Sequence, residues 1–362
     1  MAPRRYVQRE GLLLEAGDYL NVFGRHPLIL GDGLVLSIIR PTLEDQLPRT
    51  DLSPSFIVFR EECSHVEVQR ITEIARRKTV DFIVGTGGGK AIDTSRLVAD
   101  RLRIPLITLP TSAATCSAAA SVSVIYEKGV RQQTVSAKGA DLVLVDSAIV
   151  SKAPTRMLSA GMADALSKWY EGKCSYEQAR EHDSTTQTAM NLSAQVKETI
   201  LSIGLEAKRD VEAKRNSLSV ETIITANILL TGIISGLGGP SFRTAVAHGL
   251  LYGMTVFPQV HQNLHGEIVA FGIIVQLCLE KSEGELRMLI PFFSQLGLPL
   301  TLEELGLINL ENSLFWEGLR RASAKGSSVH NMPFPVDEKK LYHAILKAEK
   351  WTKCLKENRV PR

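Results

Sequence analysis

A chain of 362 residues, 44% hydrophobic and 22% charged, can bury the core of one large or two ordinary domains. Its 42 Lys+Arg against 39 Asp+Glu leave a net charge of +3 with no basic stripe or tail, which argues against nucleic acid as a partner. Residues 1–14 lack an apolar signal core, no run of about 18 uncharged apolar residues occurs, and Cys63, Cys116, Cys174, Cys278 and Cys354 show no CxxC spacing, so a soluble cytoplasmic protein with no membrane contact and no disulfide framework is expected.

Short apolar runs at 28–30, 56–59, 82–84, 106–109 and 142–145 are bounded by Gly, Pro or charge and predict strands, with helices at 66–78 and 91–102 between them. This alternation predicts an α/β domain over residues 1–154, built on a parallel sheet covered on both faces. From Pro154 the texture changes: long apolar-periodic segments at 155–173, 184–205, 219–237, 245–257, 267–280 and 341–350 predict an all-α second domain over 155–362.

Within the first half, Phe82-Ile83-Val84 runs into Gly85-Thr86-Gly87-Gly88-Gly89-Lys90, and Ala91-Ile92-Asp93-Thr94 opens a helix. Glycines here let backbone N–H groups approach a phosphate at a helix N-terminus; the alternative is a tight strand-to-helix turn. Ala91 in place of Ser or Thr excludes a Walker A loop. A second small-residue loop, 110–120, follows the next strand and suits either a ligand across the sheet's carboxyl edge or packing under a helix. Asp32, after the first predicted strand, is placed either to bind an adenosine ribose, favouring NAD over NADP, or to form an Asp-Gly turn.

In the second half Asp164, His248 and His265 stand in apolar helical surroundings. A buried carboxylate needs a cation or a partner, and neutral imidazoles ligate zinc or ferrous iron, so the three form a candidate Asp-His-His metal site. Spacing leaves open the alternative of a helix-capping Asp and two hydrogen-bonded core histidines. His261 has polar neighbours and reads as a surface or hinge residue.

Taken in order, Gly87 to Thr94, Pro110-Thr111, Ser123-Val124-Ile125-Tyr126, Gly161-Met162-Ala163-Asp164-Ala165 and His265-Gly266-Glu267 resemble the glycerol dehydrogenase branch of the iron-containing alcohol dehydrogenase superfamily, from about residue 25 to about residue 280. The resemblance implies a dehydroquinate synthase-like fold: an N-terminal Rossmann-like domain, a C-terminal helical domain, and an active site in the cleft between them with NAD and one divalent metal, zinc first and ferrous iron as the alternative. It implies that Asp164, His248 and His265 are the metal ligands and catalytic centre, and that Asp32, Gly87, Gly88, Gly89, Lys90, Asp93, Thr111, Val122 and Tyr126 bind the cofactor. The activity implied is hydride transfer between NAD(H) and a small alcohol or polyol, in a homo-oligomer.

Four positions depart from the family pattern. Cys116 stands where these enzymes usually carry an aspartate that contacts the polyol; this makes Cys116 the candidate substrate residue and opens a 2-hydroxy or 2-oxo acid as the alternative substrate. Ala114 and Ala120 replace hydroxyl-bearing residues, and Leu251 replaces a histidine three residues after His248. A dehydroquinate synthase-like cyclase and a non-catalytic relative are the other classes; net NADH formation separates the first from a dehydrogenase, and NAD binding without metal uptake would mark the second.

Overall fold

The computed structural model describes residues 2–60, 62–178, 181–307 and 313–357. Six strands, β1 (Tyr6–Arg9), β2 (Pro27–Gly31), β3 (Ser55–Val58), β4 (Phe82–Gly87), β5 (Leu106–Pro110) and β8 (Leu142–Asp146), form a parallel sheet in the order β1-β8-β5-β4-β2-β3. The strands β2, β4, β5 and β8 are buried along their whole length, which is why they read as unbroken apolar runs. A separate antiparallel hairpin joins β6 (Val122–Glu127) to β7 (Val130–Ser136). Neither the hairpin nor β1 is foreseen from sequence; β1 and β7 are half-polar and carry no apolar run.

The helices interleaved with the sheet are α1 (Ala16–Leu20), α2 (Gly33–Gln46), α3 (His65–Lys78), α4 (Gly89–Leu102) and α5 (Ser147–Val150). Side-chain caps start three of them: Asp32 accepts from Val35 N–H, Ser64 from Glu67 N–H and Asp146 from Ala148 N–H. Asp146 also accepts from the N–H groups of Gly11 and Leu13, at 3.0 and 2.8 Å, tying the N-terminal segment to β8.

Helices dominate the rest: α6 (Thr155–Gln178), α7 (Ser184–Glu212), α8 (Leu218–Thr225), α9 (Thr231–Arg243), α10 (Val246–Met254), α11 (His265–Glu280), α12 (Glu283–Leu296), α13 (Ser313–Ala322) and α14 (Glu338–Lys356). The helix expected at 219–237 is interrupted by a π-helical turn, Ala226–Leu230, and α9 kinks at Gly239, where φ is 72° ahead of Pro240. The stretch Leu218–Pro240 is the one described segment long and apolar enough by composition to cross a membrane. Asn227 within it donates to the Ala113 carbonyl at 3.0 Å, and Gly232 packs directly on Ala119. These contacts make its part up to Gly236 a packing element of the sheet-bearing unit.

Two compact units result: Met1–Pro154 with Asp210–Gly236, and Thr155–Arg209 with Leu237–Arg362. Segment 210–236 therefore groups with the α/β unit, whereas its helical texture assigns it to the second half of the sequence. The reason lies in long-range polar pairing that local periodicity does not carry: Gln8 Nε2 donates to the Glu221 carbonyl at 2.9 Å, and Ser147 Oγ bonds the Glu221 carboxylate.

Candidate active site

In the α/β unit, the chain runs from β2 through α2 to β3 on one side, then crosses to β4 on the other side of β2. The carboxyl ends of β2 and β4 therefore flank a topological switch point, where open α/β sheets bind ligands. Asp32 and the glycine loop meet there. Gly87 has φ 104°, a conformation glycine tolerates, and a Cβ on it would sit 3.4 Å from Asp32 Oδ2. Asp32 Oδ1 takes the Val35 N–H at 2.9 Å, so this residue is a helix cap as well as the carboxylate beside the loop.

Gly88 is the N-cap of α4 and offers no side-chain cap, so the first amides of α4, beginning at Gly89, are presented as an anion cradle. Lys90 holds its ammonium 5.0 Å from the centre of the Tyr126 ring. Val122, Val124 and Tyr126 alternate with buried Ser123 and Ile125 along β6 and so share its partly open face. Thr111 follows the end of β5, and Thr115 and Ser117 close against Gly89.

Asp93 has a different position from the other proposed cofactor residues. Its Oδ1 accepts from Arg96 Nη1 at 2.8 Å and from Ser117 Oγ at 2.6 Å, and its Oδ2 from Val124 N–H at 3.0 Å. Arg96 is fully buried and also donates to the Val122 carbonyl at 3.0 Å and to the Ser117 carbonyl. With both oxygens engaged, Asp93 and Arg96 pin the Cys116-bearing loop and the hairpin onto α4.

In the helical unit, three helices converge on a cluster of donors. Asp164 projects from the middle of α6, His248 from the first turn of α10 and His265 from the start of α11. Asp164 Oδ1 lies 3.6 Å from His248 Nε2 and 3.8 Å from His265 Nε2, and the two imidazole nitrogens are 3.2 Å apart. An ion held tetrahedrally at about 2.0–2.1 Å from N and O donors sets donor separations of about 3.3–3.4 Å. The triangle has the size for one such ion, and among the described residues it is the group of three metal-type donors brought together.

The electrostatics suit a cation. Burial opposes the Asp164 charge, but Lys168, His248 and His265 outweigh it and hold the carboxyl far below its usual range. Burial pushes His265 down to about 4 against the pull of Asp164, although its side chain keeps 28% exposure, so the ring is neutral and able to ligate near neutral pH. His248 is pushed down by burial and up by Glu171, and the carboxylate wins.

Two residues of this centre escape the sequence reading. Lys168 Nζ is 3.1 Å from Asp164 Oδ1, with both side chains 5% exposed. Glu171 is fully buried and accepts from His248 Nδ1 at 2.5 Å. Asp164, Lys168 and Glu171 stand at i, i+4 and i+7, one face of a helix, so a charged stripe in an otherwise apolar segment was the available signal.

His265-Gly266-Glu267 opens α11. Glu267 caps the start of α11 by accepting from Leu264 N–H at 2.7 Å and is clamped by Arg156 at 2.6 and 2.9 Å. A Cβ on Gly266 would fall 1.8 Å from the Ala160 carbonyl oxygen, so α11 lies directly against α6 there. Gly266→Ala is therefore expected to destabilise the protein by about 1–3 kcal/mol or more, since backbone cannot yield as a side chain does. It is also expected to weaken metal binding by moving His265; thermal unfolding and metal titration check both, and wild-type values would show that the helices are free to shift.

His261 is exposed, with Nε2 2.9 Å from the Thr255 carbonyl, and stands apart from the cluster. Leu251 is buried on α10. Cys116 precedes the short helical turn Ser117–Ala119 in the α/β unit.

The iron-containing alcohol dehydrogenase family model matches residues 3–147. Glycerol dehydrogenase of Pseudomonas putida is 34% identical over 357 residues, covering 96% of each chain. Glycerol dehydrogenase of Thermotoga maritima is 34% identical over 361 residues, covering 98% of this chain and 97% of its own. The crystal structure of glycerol dehydrogenase from Schizosaccharomyces pombe superimposes with a TM-score of 0.91 at 27% identity, over 99% of this chain and 92% of that one.

Proposed function

The chain belongs to the iron-containing alcohol dehydrogenase family, and from that premise we propose that it is a metal-dependent oxidoreductase moving a hydride between NAD(H) and a small alcohol or polyol. The observation that carries the reading is the Asp164-His248-His265 triangle, whose edges of 3.2–3.8 Å fit one tetrahedral ion. When bound, the ion supplies Lewis-acid polarisation of the substrate oxygen and the nicotinamide carries the hydride. Zinc is the first choice by analogy with glycerol dehydrogenases, and two nitrogens with one carboxylate suit ferrous iron, the alternative, as well.

The chain's own residues bind, orient and hold charge. The open N-terminus of α4, at Gly88, Gly89 and Lys90, receives the diphosphate, and Gly87 lets the backbone come close. Asp32 faces the adenosine ribose, Thr111, Val122 and Tyr126 line the cofactor path, and Asp93 sets the loop from behind. Cys116 faces the substrate and makes its pocket less polar than a carboxylate would. A cytoplasmic homo-oligomer acting on a free small molecule completes the reading.

The test is NADH absorbance with zinc-loaded protein, comparing oxidation of a panel of vicinal diols with reduction of a panel of 2-oxo acids. Diol oxidation is expected. Turnover confined to 2-oxo acids would overturn the polyol assignment, and silence toward both panels with zinc-loaded and then with ferrous-loaded protein would overturn the dehydrogenase reading.

Asp32 offers a second check. Serine also caps helices, so Asp32→Ser is expected to hold stability while removing the charge that repels a 2′-phosphate. The ratio of kcat/KM for NADP against NAD should rise by tenfold or more, about 1.4 kcal/mol; an unchanged ratio would leave Asp32 as a cap alone.

A further inference from the structure

The carboxylate of Glu171 has three donors around it. Its Oε1 accepts from the backbone N–H groups of Ala245 and His248, at 2.5 and 2.9 Å, and its Oε2 meets His248 Nδ1 at 2.5 Å. The backbone groups lie at the start of α10, so Glu171 caps that helix from a different one, across a sequence separation of 77 residues. An ionised carboxylate only accepts, so Nδ1 carries a proton, and in the neutral ring Nε2 then presents its lone pair. That nitrogen is the one 3.6 Å from Asp164 and 3.2 Å from His265.

We propose that Glu171 is a positioning residue for the metal centre, fixing the Nδ1–H tautomer and the ring orientation of His248 while it anchors the first turn of α10. This rests on the metal-site reading given above and extends it to a residue outside the ligand triangle. Imidazoles that bind metals through one nitrogen are commonly held by a carboxylate on the other, and losing that partner lowers metal affinity by about 10- to 100-fold.

Glu171→Gln separates capping from tautomer control. The two backbone N–H groups can only donate, so they select the carbonyl oxygen of the introduced amide and keep the cap. Its NH2 group then faces His248 Nδ1, which must accept, and the ring proton moves to Nε2, where it blocks ligation. The measurements are Zn2+ affinity by chelator competition on the full chain, thermal unfolding of the metal-free protein, and the His248 tautomer by 15N NMR at alkaline pH.

The expected result is wild-type apo stability, Zn2+ affinity lower by about 10- to 100-fold, and an Nε2–H ring in the variant. Unchanged affinity overturns the proposal. So does an affinity loss accompanied by the wild-type tautomer or matched by lost apo stability, because Glu171 is then a helix cap only. If the variant does not fold, an Nε2–H tautomer in the wild-type apo protein overturns it and an Nδ1–H tautomer supports it. Absence of Zn2+ binding by the wild-type chain instead overturns the metal site itself.

Discussion

His265→Ala is expected to remove zinc uptake and metal-dependent turnover while leaving NAD(H) affinity and folding largely intact. Loss of one of three ligands should exceed the about 10- to 100-fold penalty for losing an outer partner. The proposed cofactor loop, residues 87–90, belongs to the other compact unit, and the His265 side chain is 28% exposed, so its truncation leaves little buried charge uncompensated. Asp164→Ala should abolish uptake equally but unfold more readily. It strands the Lys168 ammonium, 5% exposed, without its carboxylate, and breaking a buried pair costs about 3–5 kcal/mol. Metal analysis, cofactor titration and thermal unfolding of both variants check this; full activity in either removes the site.

The second large effect follows from the same pair. With no ion present, Lys168 is the counter-charge to Asp164, at 3.1 Å and with both side chains only 5% exposed. Chelation of the wild-type protein is therefore expected to leave a folded apo form, whose stability falls only by what ligand release removes through mass action. Lys168→Met changes that balance. The apo variant buries Asp164 without an ammonium and should lose about 3–5 kcal/mol, whereas zinc restores the missing positive charge. The gap in Tm between apo and zinc-loaded protein should thus widen in the variant, and its zinc affinity should rise because a competing cation is gone. An apo Tm equal to wild type would show that water or another group already compensates Asp164.

The elements and candidate ligands legible in the sequence are those with a local signature. Strands β2, β4, β5 and β8 are buried on both faces, so each is an apolar run ending at Gly, Pro or a charge. Asp164, His248 and His265 stand out because polar groups in apolar helices need an explanation. Other features depend on partners far along the chain. Nothing near Glu171 announces that its oxygens will meet residues 245 and 248. Asp93 looks like part of the nucleotide loop because it follows Gly89-Lys90, yet its hydrogen bonds go to Arg96, Ser117 and Val124. Similarly, 210–236 has the periodicity of a helical domain and joins the sheet-bearing unit through Gln8 and Ala113.

That last pairing has a kinetic consequence. The first strand, β1, lies at one edge of the sheet beside β8, and the bond between Gly11 and Asp146 closes 135 residues of chain. Gln8 waits longer still, for Glu221, 213 residues on. At ribosomal rates of about 5–20 residues per second, the N-terminal segment emerges roughly 10–40 s before its last partner exists. Contacts of such high order fold late. The nascent α/β unit thus cannot complete these contacts until after the first helices of the second unit are made, and a fragment ending at residue 154 lacks the last of them.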